Sequence, residues 1–150
     1  LGRRDRGPGG RGDVVTAARG DDAPRLRIVA MPGEYTVCRF GPDDPVPQWV
    51  SGPFTSITRS PDELSVVCRT ERVPAEVPGE DGWRCLVLDD TFDLSLVGVL
   101  HSVTEPLAAA GVSVFTIATY DTDYVLVRRF ERAISALRAA GHDVSGDLDE

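Results

Sequence analysis

Two six-residue stretches decide the fold: Ala109-Ala110-Gly111-Val112-Ser113-Val114 and Ala139-Ala140-Gly141-His142-Asp143-Val144. In each, an alanine pair gives way to Gly and then to a strand-favouring run. Gly at such a junction supplies the left-handed residue that ends a helix, a conformation other residues adopt only at a cost. Each stretch therefore reads as a helix exit followed by a strand entry. Apolar Leu96, Val97, Leu100, Val103 and Leu107 recur at helical spacing before the first exit. Phe130, Ala133, Ile134 and Leu137 do so before the second. Pro106 interrupts the first helix and is expected to bend it or cap its last turns. Residues 84–88, 112–119 and 124–127 read as strands, and a short last strand starts near Asp143. Residues 83–144 thus form one β-α-β-β-α-β unit.

Upstream, the pattern is all strand. Residues 26–31 and 34–40 read as two short strands flanking the turn dipeptide Pro32-Gly33. Residues 41–45 are loop, and residues 46–50, carrying Trp49, form one helical turn. Residues 54–59 alternate as a strand. Ser60-Pro61-Asp62-Glu63 has the signature of a helix start, but strand-like Leu64-Ser65-Val66-Val67-Cys68 follows at once. It reads as a single turn between strands. A Pro-rich connector, residues 73–79, separates the two halves. Residues 1–24 are Gly-rich, with mixed Arg and Asp and no apolar periodicity, and are expected to be a disordered tail. The expected organisation is this tail, an N-terminal unit over 25–79 and a C-terminal domain over 80–146.

Composition excludes several function classes. The net charge is −8 and the pI about 4.7, which disfavours a nucleic-acid backbone or an anionic membrane as partner. All 16 basic residues are Arg, which reads as coding bias. Cys38, Cys68 and Cys85 lie in apolar stretches with no CxxC spacing, and there are two histidines. The cysteines read as small buried hydrophobes in a reduced compartment, and no metal or cofactor is implied. No apolar run reaches membrane-spanning length and no leader-like segment opens the chain, so the protein is expected to be cytoplasmic.

The topology brings two polar segments to one edge. The loop of residues 89–95 leads into the first helix, and the hairpin Thr119-Tyr120-Asp121-Thr122-Asp123-Tyr124 joins the two middle strands at the same end. Free N–H groups at the helix start suit a carboxylate. Gly98 would let a ligand approach the backbone. Asp121 and Asp123 suit an ammonium or guanidinium group, with hydroxyls from Ser95, Thr119 and Thr122 adding orientation. One anion site beside one cation site fits a free amino acid. Each residue also has a plain structural reading: Asp121 and Thr122 as turn residues, Asp93 and Ser95 as N-caps, Gly98 as a packing residue, and Tyr120 and Tyr124 as half-buried sheet residues.

Residues 83–86, 92–100 and 119–127 resemble the ACT domain, in the subtype of small stand-alone ACT proteins and the CASTOR arginine sensors. Residues 31–39 and 56–68 resemble the N-terminal half of the same small proteins. The resemblance implies an α+β architecture, a ferredoxin-like βαββαβ ACT domain preceded by a smaller, degenerate ACT-like β-rich unit. It implies a regulatory amino-acid ligand held by Asp93, Gly98, Val99 and Leu100 and by Thr119, Tyr120, Asp121 and Asp123, to which the reading of the residues adds Ser95. The N-terminal unit would add Ser56, Ile57 and Thr58. The second helix departs from the family pattern, since Arg128-Arg129-Phe130 enters it without acidic residues. The expected function is a non-catalytic amino-acid sensor acting as a homodimer or on an amino-acid-metabolic enzyme. The alternatives are a protein-interaction module with a vestigial pocket, and a small enzyme of amino-acid metabolism. The enzyme reading has little support, because His101 and His142 are far apart and Asp121 with Asp123 is a thin basis for acid–base catalysis.

Overall fold

The structure, a computed structural model, describes residues 24–89 and 96–149. The sequence-based tail, residues 1–24, lies almost wholly outside them. The elements in chain order are β1 (Arg27–Phe40), β2 (Ser56–Arg59), β3 (Leu64–Arg69), β4 (Glu80–Leu88), α1 (Leu96–Ala109), β5 (Val114–Ala118), β6 (Asp123–Val127), α2 (Phe130–Ala139) and β7 (Asp143–Gly146). All seven strands join one sheet in the order β2-β3-β1-β4-β6-β5, with β7 beside the first half of β1. This mixed α+β fold is the expected ferredoxin-like ACT arrangement preceded by a β-rich segment. None of the described helices is long and apolar enough to cross a membrane.

The first half of the chain is woven into the second. β1 pairs antiparallel with β4 along one side. On its other side its start pairs parallel with β7 and its end antiparallel with β3. A strand from the N-terminal half therefore sits between β4 and β7, the first and last strands of the βαββαβ unit.

Pro32-Gly33 does not turn the chain. β1 is one strand of 14 residues, and the dipeptide sits where its register against β4 shifts between Ala30↔Leu86 and Glu34↔Arg84. Four steps on β1 match two on β4, so the extra residues bulge out. Gly33 takes φ +81° there, and Pro32 lies where a ladder N–H is not needed. A turn dipeptide flanked by strands has the same local chemistry as a bulge, and the neighbouring strand decides between them. The Ser60–Glu63 segment is the single turn expected: the N–H groups of Asp62 and Glu63 both donate to the Ser60 hydroxyl.

Both Ala-Ala-Gly exits are built alike. Gly111 (φ +70°) and Gly141 (φ +97°) are left-handed. The N–H groups of Gly111 and Val112 donate to the carbonyls of Ala108 and Leu107, and those of Gly141 and His142 to Arg138 and Leu137. Each is a Schellman ending, in which orphan helix carbonyls find partners beyond the helix. The second helix starts at Phe130 after a left-handed Arg129, with Glu131 in its first turn.

Pro106 neither ends α1 nor leaves it broken. A proline here removes the N–H that would bond the Ser102 carbonyl one turn earlier. His142 replaces it. The Leu26 N–H donates to Nδ1 at 3.1 Å, so the ring proton sits on Nε2. Nε2 then donates to the Ser102 carbonyl at 2.7 Å. One buried neutral imidazole ties α1, the start of β1 and the turn into β7.

The sheet has two unlike faces. One carries Ile28, Leu86, Leu88, Val125 and Val127, covered by Val103 and Leu107 of α1 and by Ala133 and Leu137 of α2. Farther along it, Cys38, Leu64 and Val66 are covered by loop residues such as Trp49 and Val73. The other face carries Tyr35, Val67, Trp83, Cys85 and Leu126 and, among the described residues, has no helix on it; Phe54, from the segment before β2, lies across it. The Phe54 ring stacks on Tyr124 with centroids 4.3 Å apart.

Candidate functional site

The strand pairing sets the hairpin half of the expected edge, and residues 90–95 of the loop lie outside the described residues. β4 pairs with β6 through Val87↔Tyr124, which brings the end of β4 beside Asp123. β5 pairs with β6 through Ala118↔Asp123, so the 119–122 hairpin stands at the same end. The hairpin closes on Thr119. Its N–H and its hydroxyl both donate to the Thr122 carbonyl at 2.8 Å, and the hydroxyl accepts from the Thr122 N–H at 3.1 Å. That hydroxyl is occupied in holding the turn. Tyr120 is fully exposed at the tip, and Asp121 is exposed beside it.

Asp123 differs from its neighbours. It alternates with Val125 and Val127, so it points to the helix-covered face. It is only 9% exposed, and burial raises its pKa above the ordinary aspartate value. No hydrogen bond or ion pair to a described residue meets it. A buried carboxylate without a partner is costly, and such groups mark places where a ligand supplies the missing charge.

On the same face, Gly98, Val99 and Leu100 lie in the first part of α1 and are half-buried. Val99 and Leu100 pack against the core beneath the helix. Their carbonyls accept from the Ser102 and Thr104 hydroxyls, at 2.7 and 3.0 Å. Asp93 and Ser95 lie outside the described residues.

The three N-terminal site residues fall elsewhere. β2 is an edge strand, and Ile57, opposite Val66, is half-exposed on the helix-side face. Ser56 and Thr58 point to the helix-free face. There they line a cavity of about 220 Å³ together with Ser65, Glu80, Phe115 and Ile117. Asp123 and the Ser56–Thr58 pair are thus on opposite faces of one sheet. Sequence reasoning missed the last four of these residues. Their only signal is period-two alternation along β3 and β5, which does not reveal that the two strands share a cavity.

The remaining reactive groups have structural roles. The three cysteines are free and buried, as the sequence indicated. Burial raises the pKa of each thiol, for Cys85 to about 12, so none is a standing thiolate. His101 pairs with Glu105 one turn along α1 at 3.1 Å. His142 is committed to the backbone as described.

A family model for the ACT domain matches residues 79–139, and a model described as an N-terminal domain matches residues 33–76. The crystal structure of protein Atu0741 from Agobacterium tumefaciens is 35% identical, with a TM-score of 0.79, over 83% of this chain and 96% of that one. This chain belongs to the ACT-domain family. Two aspartate kinase structures share the fold of this ACT-domain protein at low identity. One is the Clostridium acetobutylicum enzyme, described as allosteric, at 13% identity and TM-score 0.57, over 80% of this chain and 36% of that one. The other is the regulatory subunit from Thermus thermophilus, at 17% identity and TM-score 0.51, over 77% of this chain and 96% of that one. No curated protein matches the chain.

Proposed function

We propose that this ACT-domain protein is a non-catalytic regulatory protein that binds a free amino acid where β4 leads into α1 beside the β5–β6 hairpin. The observation that carries the reading is Asp123, a buried carboxylate with no partner among the described residues and a pKa raised by desolvation. An α-ammonium group seated there supplies the missing counter-charge, and the start of α1 offers N–H groups to the α-carboxylate. The allosteric and regulatory aspartate kinase structures that share the fold support a regulatory role. The charge does not separate a cationic side chain from the ammonium common to all amino acids, and CASTOR-like arginine sensing is one form of this reading. The unpaired edges β2 and β5 give a second copy, or a partner enzyme of amino-acid metabolism, a surface to pair with.

Calorimetric titration with each of the twenty amino acids, on the wild type and on Asp123→Asn, tests this. The expected result is saturable binding of at least one amino acid, weakened by about tenfold or more in the variant, the worth of a charge-assisted hydrogen bond. Heat-silent titrations at millimolar concentration for all twenty would reject it.

A further inference from the structure

The helix-free face holds a pocket of its own. Directly paired residues on neighbouring strands point to the same side of a sheet. Ser56 of β2 faces Val67 of β3, Val67 faces Val37 of β1, and Val37 faces Glu80 of β4. These four residues make one row across four strands. Thr58 and Ser65, paired with each other, extend the hydroxyl side of that row. Phe115 and Ile117, two apart on β5, bring the far edge of the sheet to the same cavity. β2 and β5 are the two ends of the strand order, so the sheet curls around this space. The Phe54–Tyr124 stack, which joins the segment before β2 to β6, spans the same curl.

The pocket has an ordered chemistry. Its floor and one wall are apolar: Val37, Val67, Phe115 and Ile117. Three hydroxyls stand on the β2–β3 side, and none of them makes a side-chain hydrogen bond to a described residue. Among the described residues Glu80 is the only ionisable one in the lining, and it is exposed. No cationic side chain of the described residues lines the cavity, so a carboxylate meets no counter-charge there and Glu80 repels it. At about 220 Å³ and partly open to solvent, the cavity has room for a short-chain molecule.

The geometry points to this helix-free pocket as a second ligand site, selective for a small primary amine whose ammonium pairs with Glu80 and whose short apolar body lies against Phe115 and Ile117. Such a ligand is an amino acid side chain with its α-amine and without its carboxylate. The site is separate from the one proposed at Asp123, on the other face of the sheet, and stands or falls without it.

The probes are isopentylamine, isovalerate and isopentanol, equal in carbon skeleton and different in head group. Amide NMR of the full chain follows each titration. Isopentylamine is expected to shift Ser56, Thr58, Ser65, Phe115 and Ile117 saturably, isopentanol more weakly, and isovalerate not at all. Glu80→Gln is expected to weaken the amine by about tenfold, the worth of one charge-assisted contact, and to erase its advantage over the alcohol. Thr58→Val should weaken it by a smaller factor. Both residues are exposed, and an unchanged thermal melt establishes that each variant folds. Asp123→Asn should leave amine binding as it was. Absence of saturable shifts with the amine at millimolar concentration, equal affinity for isovalerate, or amine binding untouched by Glu80→Gln would each overturn the assignment. Loss of amine binding in Asp123→Asn with retention in Glu80→Gln would also overturn it, since the amine would then occupy the other site.

Discussion

At the β7 end of the helix-covered face, buried polar side chains hold the backbone; at the β6 end of the same face Asp123 has no partner among the described residues. His142 uses both ring nitrogens, on the Leu26 N–H and the Ser102 carbonyl. Arg84, also buried, donates through its two terminal nitrogens to the carbonyls of Asp147 and Asp149 at 2.9 Å each and lies 3.9 Å over the Phe130 ring, while its Nε has no hydrogen-bond partner among the described residues. These two side chains fasten the last strand and the segment after it to the body of the fold. Asp123 has comparable burial and no such partners. Buried polar side chains that hold the backbone specify a structure, whereas a shielded carboxylate with no partner at all costs stability until something binds. The β7 end therefore reads as architecture and the β6 end as a site.

The largest expected effect breaks the matched end. His142→Leu removes the acceptor for the Leu26 N–H and the donor for the Ser102 carbonyl, which Pro106 has already deprived of its helical partner. Two buried groups left unsatisfied cost about 3 kcal/mol. Urea unfolding should show the midpoint falling with little change in slope. A loss under about 1 kcal/mol would mean that water reaches both groups and that the imidazole is not the substitute for the missing proline N–H.

Next comes the strand that His142 and Arg84 fasten. Gly146 ends β7 at φ +97°, and a Cβ there would stand 2.4 Å from the Ala30 carbonyl oxygen. Gly146→Ala forces both a strained backbone and a shift of the parallel pairing, at a cost of about 2 kcal/mol. Hydrogen exchange should rise at Asp147, whose N–H donates to the Ala30 carbonyl at 3.0 Å. Unchanged exchange there would show that the end of β7 is not held in this register.

How much of this the sequence carried depends on the range of the interaction. The two Ala-Ala-Gly exits were legible because a Schellman ending is written within six residues. The helices, β5, β6 and the turn at Ser60 were legible for the same reason. Pro32-Gly33 was misread because a bulge and a turn share local chemistry and differ only in the strand alongside. The interposition of β1 between β4 and β7 had no local signal at all. That placement, with two register shifts on β1, separates Ser56 and Thr58 from Asp123: one residue of slip exchanges the faces of a strand. The sequence showed that these residues were polar and near strand ends, and could not show which side of the sheet each would take. His142 was visible only as a residue at a helix exit, since its partners are 40 and 116 positions away.

A smaller effect tests the border of the site. Thr119→Ala removes the hydroxyl that closes the hairpin and should cost about 1 kcal/mol, which Thr119→Ser should largely restore. If Thr119 acts only by shaping the turn, thermal stability and amino-acid affinity recover together in the serine variant. Recovery of stability without affinity would place the threonine methyl against the ligand.

The smallest expected change in stability is the most informative, because its sign is opposite to the rest. Asp123 has its pKa raised in the folded chain by burial. The folded state therefore holds its proton more tightly than the unfolded state, and stability falls as pH rises from the ordinary aspartate value through the folded one. Above that window the chain carries a largely buried charge with no partner among the described residues. Asp123→Asn removes the charge and keeps the shape, so the variant should be more stable than the wild type at neutral pH, with the difference closing as the pH drops below the ordinary aspartate range. Thermal melts across that range measure it directly. A bound amino acid should close the same gap from the other side, by stabilising the wild type more than the variant at neutral pH. If Asp123→Asn is instead the less stable protein at neutral pH, the carboxylate already has a counterpart in the folded chain, and the contrast between a matched and an unmatched end of the sheet disappears.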